Sequence, residues 1–205
     1  MSPLPYPIQV PSERGHGRVA IRSVRRRDAA VLKRLLADNR SWLQPWEATF
    51  PGGGGAEPGS QPLGPVIRAM HRQRKAGTGV TFVMLYDGQV VGQLSVSDIS
   101  AGALRSASIG YWVSQHIAGR GVTPTAVALA IEYAFAELRL HRIEVCIRPE
   151  NAASLRVAHK LGLRYEGRRE RYIHIDGKWC DHESFAVTVD EVPRGMLERL
   201  GAPSS

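Results

Sequence analysis

Residues 114–124 are Ser114-Gln-His-Ile-Ala-Gly-Arg-Gly-Val-Thr-Pro124, and they lie between a predicted strand and a predicted helix. Gly119 and Gly121 let the backbone turn sharply and let a ligand approach it closely. The first turn of the helix leaves N–H groups without partners and a partial positive charge at its start, which suits a pyrophosphate. A tight turn without a ligand has the same glycine spacing, so the neighbouring segments decide between the two interpretations.

The neighbouring segments predict a mixed α/β fold in one domain. Before the loop, an Asp87-Gly88 turn joins two strands, and after it a helix over 123–138 is apolar almost all round, so it must lie against a sheet. The predicted strands are 18–24, 81–86, 89–98, 106–113, 143–147, 163–166, 172–175 and 179–189. Three other helices are predicted: one begins at Asp28 and ends near Asn39, and the others cover residues 66–75 and 151–161.

The predicted domain covers residues 18–190. Residues 1–17 are rich in proline, glycine and serine and predict a flexible N-terminal arm, and residues 191–205 are expected to form a C-terminal tail. The glycine-rich run 51–65 predicts a mobile surface loop. It lacks the preceding strand and the following Lys-Ser or Lys-Thr of a phosphate loop.

The composition favours a folded protein of the cytoplasm. The chain has 205 residues, of which 43% are hydrophobic and 22% charged, and this excludes disorder as the main state. The two cysteines, Cys146 and Cys180, are too few for a disulfide scaffold, and no run of eighteen apolar residues predicts a membrane span. We therefore expect no membrane partner, and either a monomer or a homodimer.

The charge indicates an anionic partner of some kind. Lysine and arginine number 27 against 19 acidic residues, a net charge of +8. Segment 139–171 holds nine basic and four acidic residues, so it is a candidate surface for coenzyme A, nucleic acid or ribosomes. A solvated basic face without a ligand fits the same count.

Two further stretches contain polar residues at helix and hairpin ends. Asn151-Ala-Ala-Ser154 opens a helix after a strand, so Asn151 is a candidate N-cap with Ser154 one turn inside. His174, Cys180 and His182 flank the Asp176-Gly177 turn. Because no fourth ligand is evident, we expect no metal site there.

Taken together, these stretches resemble the GNAT superfamily of N-acetyltransferases, and within it the Rim-type ribosomal-protein-alanine N-terminal acetyltransferases. The resemblance covers about residues 19–189 and rests on segments in a fixed order: Ile109-Gly-Tyr-Trp-Val113, Ala118-Gly-Arg-Gly-Val-Thr123, Asn151-Ala-Ala-Ser154, Lys160-Leu-Gly162, Glu166-Gly167 and Asp176-Gly-Lys-Trp-x-Asp-His182. It implies a single domain whose sheet, flanked by helices, is splayed at its centre between the strand ending near Val113 and strand 143–147. The cosubstrate acetyl-CoA is expected in that gap.

The resemblance also implies which residues bind the cosubstrate. The backbone of Trp112 and Val113 would pair with the pantetheine arm, and Asn151 would reach it. The pyrophosphate would be held by backbone amides of the loop: Gly119, Arg120, Gly121, Val122 and Thr123. The side chains of Arg120 and Arg156 would face the phosphates. Ala118 stands where the superfamily usually has arginine or glutamine, so one phosphate contact or loop support is expected to be missing.

The residues for catalysis are less clearly marked. Many relatives have a tyrosine acid where this chain has Ala158, and Ser154 is the alternative donor to the leaving thiolate. Strand 106–113 contains no carboxylate, so Asp98 and Glu47 are the candidates for relaying a proton through water. The candidate acceptor-binding wall consists of Trp42, Trp46 and Tyr111. Tyr111 and Trp112 alternate faces of one strand, so one of them is expected in the core.

The leading hypothesis is transfer of an acetyl group from acetyl-CoA to a primary amine, by direct attack on the thioester. The resemblance favours the N-terminal α-amine of a ribosomal or other protein, with ribosome association as a further expectation. An α-amine has a pKa of about 7.7–8.0, so much of it is already the free nucleophile at neutral pH. Two alternatives stay open: acetylation of a polyamine, aminoglycoside or amino acid, and a basic RNA- or ribosome-binding module whose acetyl-CoA site is degenerate.

Overall fold

The computed structural model describes residues 10–11, 17–52 and 61–201. Within them, eight strands form one sheet in the order β1-β2-β3-β4-β5-β6-β8-β7. The strands are β1 (Val10–Pro11), β2 (Arg18–Ser23), β3 (Val80–Tyr86), β4 (Gln89–Ser100), β5 (Ser106–Val113), β6 (Arg142–Ile147), β7 (Arg164–Ile175) and β8 (Lys178–Thr188). Neighbouring strands are antiparallel except β5 and β6, which are parallel. The predicted mixed α/β domain is confirmed.

Helices cover both faces of this sheet. They are α1 (Ala29–Asp38), α2 (Arg40–Leu43), α3 (Leu63–Ala76), α4 (Val122–Ala136), α5 (Ala152–Lys160) and α6 (Met196–Gly201). Leu32 of α1 and Ile67 of α3 pack against Val83 and Leu85 on one face. Helices α4, α5 and α6 share the larger core on the other face. None of the described helices is long and apolar enough to cross a membrane.

Helix α4 and the two tight hairpins form as their sequences predict. Helix α4 is buried along most of its length, as its apolar surface requires, and it begins and ends slightly earlier than predicted. Both hairpin turns adopt two successive positive φ angles, 47° and 80° at Asp87-Gly88 and 48° and 79° at Asp176-Gly177. This backbone twist matches that of the paired strands.

The structure differs from the sequence prediction in β7 and at both chain ends. Segments 163–166 and 172–175 belong to one strand, β7, whose pairing is interrupted by shifts of register. Val10–Pro11 pairs with β2, inside the predicted arm, whose residues 1–9 and 12–16 lie outside the described residues. Residues 53–60 of the predicted mobile loop also lie outside the described residues. Met196 of α6, in the predicted tail, is fully buried, so the domain continues beyond residue 190.

Most cations of the predicted anion-facing segment 139–171 that lie on β6 and β7 are neutralised by carboxylates. Arg142 pairs with Glu144 and Glu166, and Arg169 pairs with Glu144 at 2.6 Å. The hydrogen bond from Arg142, followed by that from Arg164, lowers the pKa of Glu166 to about 2 although burial opposes this. The positive count in this segment therefore does not correspond to an equally positive surface.

Candidate active site

A gap opens in the middle of the sheet between β5 and β6. The two strands pair only where Ser106–Ser108 lies beside Arg142–Glu144. From Ile109 and Val145 onward they continue without pairing to each other, to Val113 and Ile147. The predicted central splay is therefore present, and it exposes one backbone edge of β5 to a ligand.

The backbone groups that face this gap differ from the predicted ones. The Ser114 amide donates to the Val91 carbonyl at 2.8 Å, so by the alternation of an antiparallel pair Trp112 also faces β4. A Cβ at Gly92 of β4 would clash with the Trp112 carbonyl, which agrees with a Trp112 backbone that points toward β4. Tyr111 and Val113 therefore present their backbone groups to the gap, and Trp112 does not.

Trp42 closes part of this edge. Its indole Nε1–H donates to the Val113 carbonyl at 3.1 Å, so α2 is fastened to the end of β5. The Val113 carbonyl, predicted to pair with the pantetheine arm, is thus already an acceptor for Trp42. The Val113 amide is left for a ligand at this point of the edge.

The loop after β5 presents backbone amides at the start of α4. Gly119 and Gly121 have φ angles of 82° and 76°, which L side chains rarely adopt, and Gly121 is the N-cap of α4. Among the described residues no side chain caps this helix, so the amides of its first turn, at Val122 and Thr123, stay available to an anion. A Cβ at Gly119 would meet nothing within 4 Å, so the approach is open. Arg120 is exposed beside it.

The loop is held by Asn39, a residue that no sequence motif had indicated. Asn39, at the end of α1, is 5% exposed, and its Nδ2 donates to Ser114 Oγ and to the Leu35 carbonyl, both at 2.8 Å. Its Oδ1 accepts from the Gln115 amide at 2.8 Å. Ser114 Oγ also lies 2.9 Å from His116 Nδ1. This buried network supports the loop from the end of α1.

The start of α5 forms the other wall of the gap, directly after β6. Asn151 Oδ1 accepts from the Ser154 amide at 3.0 Å, so the predicted cap is present. Only the carbonyl oxygen of Asn151 is used in this bond, and its NH₂ group can still donate. Ser154 is half-buried, and Arg156 is exposed two residues further on.

The Tyr111 hydroxyl meets this wall. It is buried, and it makes no hydrogen bond of ordinary geometry to any residue within the described ranges. Burial raises the pKa of Tyr111 to about 12, and the side chain of Ser154 acts in the opposite direction. The ring packs on the α4 side of the sheet, whereas Trp112 packs beside α3. Both aromatic rings therefore belong to the core, and the Tyr111 hydroxyl brings a proton donor beside Ser154.

Of the two candidate carboxylates, Asp98 lies away from this hydroxyl pair and Glu47 is held in an ion pair. Asp98 sits in a bulge of β4 with φ 53°, four residues beyond Leu94, the partner of Tyr111, or about 13 Å along the strand. Glu47 is 2.5 Å from the Arg40 guanidinium. Asp98 is therefore not brought to Tyr111 and Ser154, and the Glu47 carboxylate is already paired with Arg40.

Trp46 and the hairpin β7–β8 border the outer side of the site. The Arg148 guanidinium lies 5.6 Å from the Trp46 ring centroid and donates to the Pro45 carbonyl at 2.8 Å. His174 Nδ1 lies 2.8 Å from Thr49 Oγ1. In the described part of the chain, no three His, Cys, Asp or Glu side chains are arranged to hold a metal ion.

Comparison with known proteins gives consistent matches. The family model for the acetyltransferase (GNAT) domain matches residues 18–164. The [ribosomal protein uS5]-alanine N-acetyltransferase of Escherichia coli is 30% identical over 85% of this chain and 89% of that protein. The probable N-acetyltransferase YjcK of Bacillus subtilis is 41% identical over 49% of this chain and 56% of that protein, so the chain spans little more than half of it. The structure of Mycobacterium smegmatis RimJ in complex with CoA-disulfide superposes with a TM-score of 0.87 and 35% identity, over 95% of this chain and 94% of that one.

Proposed function

We propose that this chain, which belongs to the GNAT acetyltransferase family and is an acetyl-CoA-dependent N-acetyltransferase, acetylates the N-terminal α-amine of a protein, and of a ribosomal protein in particular. The observation that supports this acceptor is the likeness to the uS5-alanine N-acetyltransferase over 85% of the chain, and the gap between β5 and β6 offers the place for acetyl-CoA. A ribosomal acceptor would be met in the cytoplasm, where we place this chain.

The residues of the gap fit acetyl-CoA at three points. The uncapped first turn of α4 and the exposed Arg120 suit the pyrophosphate. The amide of Val113 and the NH₂ group of Asn151 suit the amide carbonyls of the pantetheine arm. The thioester would then lie near Ser154, where the hydroxyl is half-buried beside Tyr111.

In the proposed reaction, the neutral amine nitrogen attacks the thioester carbon and the C–S bond breaks. The Ser154 hydroxyl donates a hydrogen bond to the sulfur as it leaves, and the thiolate takes its proton from water. The buried Tyr111 hydroxyl donates to Ser154 Oγ and strengthens this hydrogen bond, because it has no other full hydrogen bond among the described residues. Ser154 is thus the proposed donor to the leaving group, and Tyr111 a positioning residue that acts through it.

The proton released by the amine goes to water in this proposal. Asp98 and Glu47 are not needed as bases, since at pH 7.5 about a quarter of an α-amine is neutral, against roughly 0.1% of a lysine side chain. This difference of about two hundredfold in free nucleophile favours an N-terminus as the acceptor in a reaction to which no enzymic base is assigned. The uS5-alanine N-acetyltransferase, which covers most of this chain, points to the same kind of acceptor.

Steady-state kinetics with matched amines test the acceptor. The panel contains a hexapeptide with a free N-terminal alanine and an internal lysine, the same peptide with a formylated N-terminus, spermidine, and an aminoglycoside. We expect kcat/KM for the free peptide to exceed each of the others by about tenfold or more. A higher kcat/KM for spermidine or the aminoglycoside contradicts the proposed acceptor and leaves the acetyltransferase activity in place.

A further inference from the structure

The outer surface of the α1–α3 layer carries much positive charge and, among the described residues of these two helices, a single carboxylate, that of Asp38. Helix α3 has no acidic residue, and Arg68, Arg72 and Lys75 follow the i, i+4, i+7 spacing that places them in one line. All three are exposed. The line is about 10 Å long, at a rise of 1.5 Å per residue. Like charges at this spacing repel each other, so a bound polyanion would stabilise the helix.

The turn before α1 extends this charge. It packs against α3, where His71 Nε2 lies 2.9 Å from the Val24 carbonyl, and Arg25–Arg27 are exposed beside that contact. The buried Asp28 carboxylate forms its ion pair with Arg22, from which it accepts at 2.7 and 2.8 Å, and not with these three side chains. Helix α1, packed beside α3, adds the exposed pair Lys33 and Arg34.

We call these side chains the basic face: Arg25–Arg27, Lys33, Arg34, Arg68, Arg72 and Lys75. No member forms an ion pair with a carboxylate anywhere in the described ranges. Segment 139–171 differs, since Arg142, Arg164 and Arg168 each pair with glutamates there or on adjacent elements. The eight positive charges of the basic face thus have no ion-pair partner among the described residues, unlike these arginines of segment 139–171.

The chemistry of the basic face fits phosphate groups. Most of its members are arginines, whose planar guanidinium groups match phosphate oxygens in pairs. A membrane surface fits less well, because the exposed large apolar side chains, among them Phe50, Leu104 and Trp179, lie elsewhere and the apolar side of α3 is packed on the sheet. A nucleic-acid backbone, which repeats its charge along a line, matches the line along α3.

We propose that the basic face docks on the phosphate backbone of RNA. The choice of RNA over DNA rests on the proposed function, because an acceptor that is a ribosomal protein binds ribosomal RNA. Docking here leaves the gap open. The inner side of α3 contacts the sheet through Met70, whose sulfur accepts from Gln93 Nε2 at 3.9 Å, while Gln93 Oε1 accepts from Trp112 Nε1 at 3.4 Å. The RNA would thus lie one helix away from β5, on the side of the sheet where Trp112 packs.

Fluorescence anisotropy with a labelled 20-base-pair RNA duplex of arbitrary sequence tests this proposal. The variant Arg68→Gln/Arg72→Gln/Lys75→Gln removes the line on α3, and Arg164→Gln/Arg168→Gln/Arg171→Gln removes the same charge from β7. We expect micromolar affinity for the wild type at low salt, and a loss of about tenfold or more in the α3 variant only. The slope of log Kd against log salt should fall by about three, one for each lost phosphate contact.

Three results would overturn the proposal: equal losses in both variants, tighter binding to a DNA duplex of the same length, or tighter binding to vesicles containing phosphatidylserine. Melting temperatures confirm that both variants fold. Acetylation of the free hexapeptide, measured on the same preparations, should be unchanged in the α3 variant, because none of its three residues lies at the gap. That readout separates a failure of RNA docking from a failure of the proposed acceptor.

Discussion

The two ends of the gap are built in different ways. At the phosphate end, backbone amides and two glycines with positive φ, all within residues 114–124, form the surface offered to an anion. At the end proposed for the thioester, here called the thioester end, side chains from separate elements meet: Tyr111 from β5 and Ser154 from α5. The first end depends on local backbone conformation and should control cosubstrate affinity, whereas the second depends on tertiary packing and should control the rate.

The largest expected effect is at the thioester end. Ser154→Ala should lower kcat roughly 10- to 1,000-fold with little change in acetyl-CoA affinity, because its hydrogen bond to sulfur strengthens only as charge develops. The helix cap is retained, since Asn151 bonds to the backbone amide of residue 154 and not to the serine hydroxyl. Fixed-time activity assays measure kcat, and titration calorimetry measures the affinity for acetyl-CoA.

The matched control for this variant is Ser106→Ala, at the paired start of β5, which should leave kcat unchanged. Melting temperatures of both variants should stay close to that of the wild type. A normal kcat in a folded Ser154→Ala protein would show that Ser154 is only a helix-start residue. A loss of acetyl-CoA affinity with a normal kcat would show that both ends of the gap serve only to bind the cosubstrate.

A smaller effect of the opposite kind is expected at the phosphate end. Gly119→Asp places a carboxylate beside the loop amides that are proposed to bind the pyrophosphate. It should weaken acetyl-CoA binding by about tenfold or more, with kcat at saturation nearly unchanged. Gly102→Asp is its control. Both glycines are exposed with positive φ, 82° and 67°, and a Cβ at either would meet nothing within 4 Å. Equal affinity in the two variants, measured by calorimetry, would contradict the assignment of the loop.

The smallest expected effect concerns Tyr111. Tyr111→Phe removes a buried hydroxyl that has no full hydrogen bond, so stability should change little, and kcat should fall by about three- to tenfold through Ser154. Burial raises the pKa of Tyr111 from 10 to about 12, so the neutral form is the one that folding favours. The stability from this shift is present below pH 10 and is lost as the pH rises through about 12.

The pH dependence of the rate separates this role from that of a base. Because Tyr111 stays protonated over the working range, wild type and Tyr111→Phe should have the same apparent pKa in plots of kcat/KM against pH. A displaced pKa in the variant would mean that Tyr111 titrates during the reaction. A loss of melting temperature as large as the loss of rate would assign the residue to packing alone.

The sequence predicted the parts that depend on local pattern. Apolar periodicity located α4, and the Asp-Gly turns located two hairpins, because such signals depend on neighbouring residues. Asn39 was missed as the support of the loop, since it contacts Gln115, 76 residues away, and no local pattern records that distance. The backbone direction of Trp112 depends on strand register, which the alternation of residues in one strand does not fix.

The charge of segment 139–171 was misleading for the same reason. Arg164 is balanced by Glu191, 27 residues further along the chain, and Arg168 by Glu183 on β8. A count of charges in one segment cannot include such partners. The basic face is spread over two parts of the chain, Arg25–Arg34 and α3, and it becomes one surface only when these pack together.

The central claim, acetylation of a protein N-terminus, is tested most directly by locating the product on one molecule. The hexapeptide with a free N-terminal alanine and an internal lysine is incubated with acetyl-CoA and enzyme between pH 6 and 9, and tandem mass spectrometry locates the acetyl group. We predict acetylation at the α-amine throughout, with a rate that rises toward the amine pKa of about 8. Acetylation of the lysine, or a rate governed by an enzyme group titrating near pH 6, would contradict it.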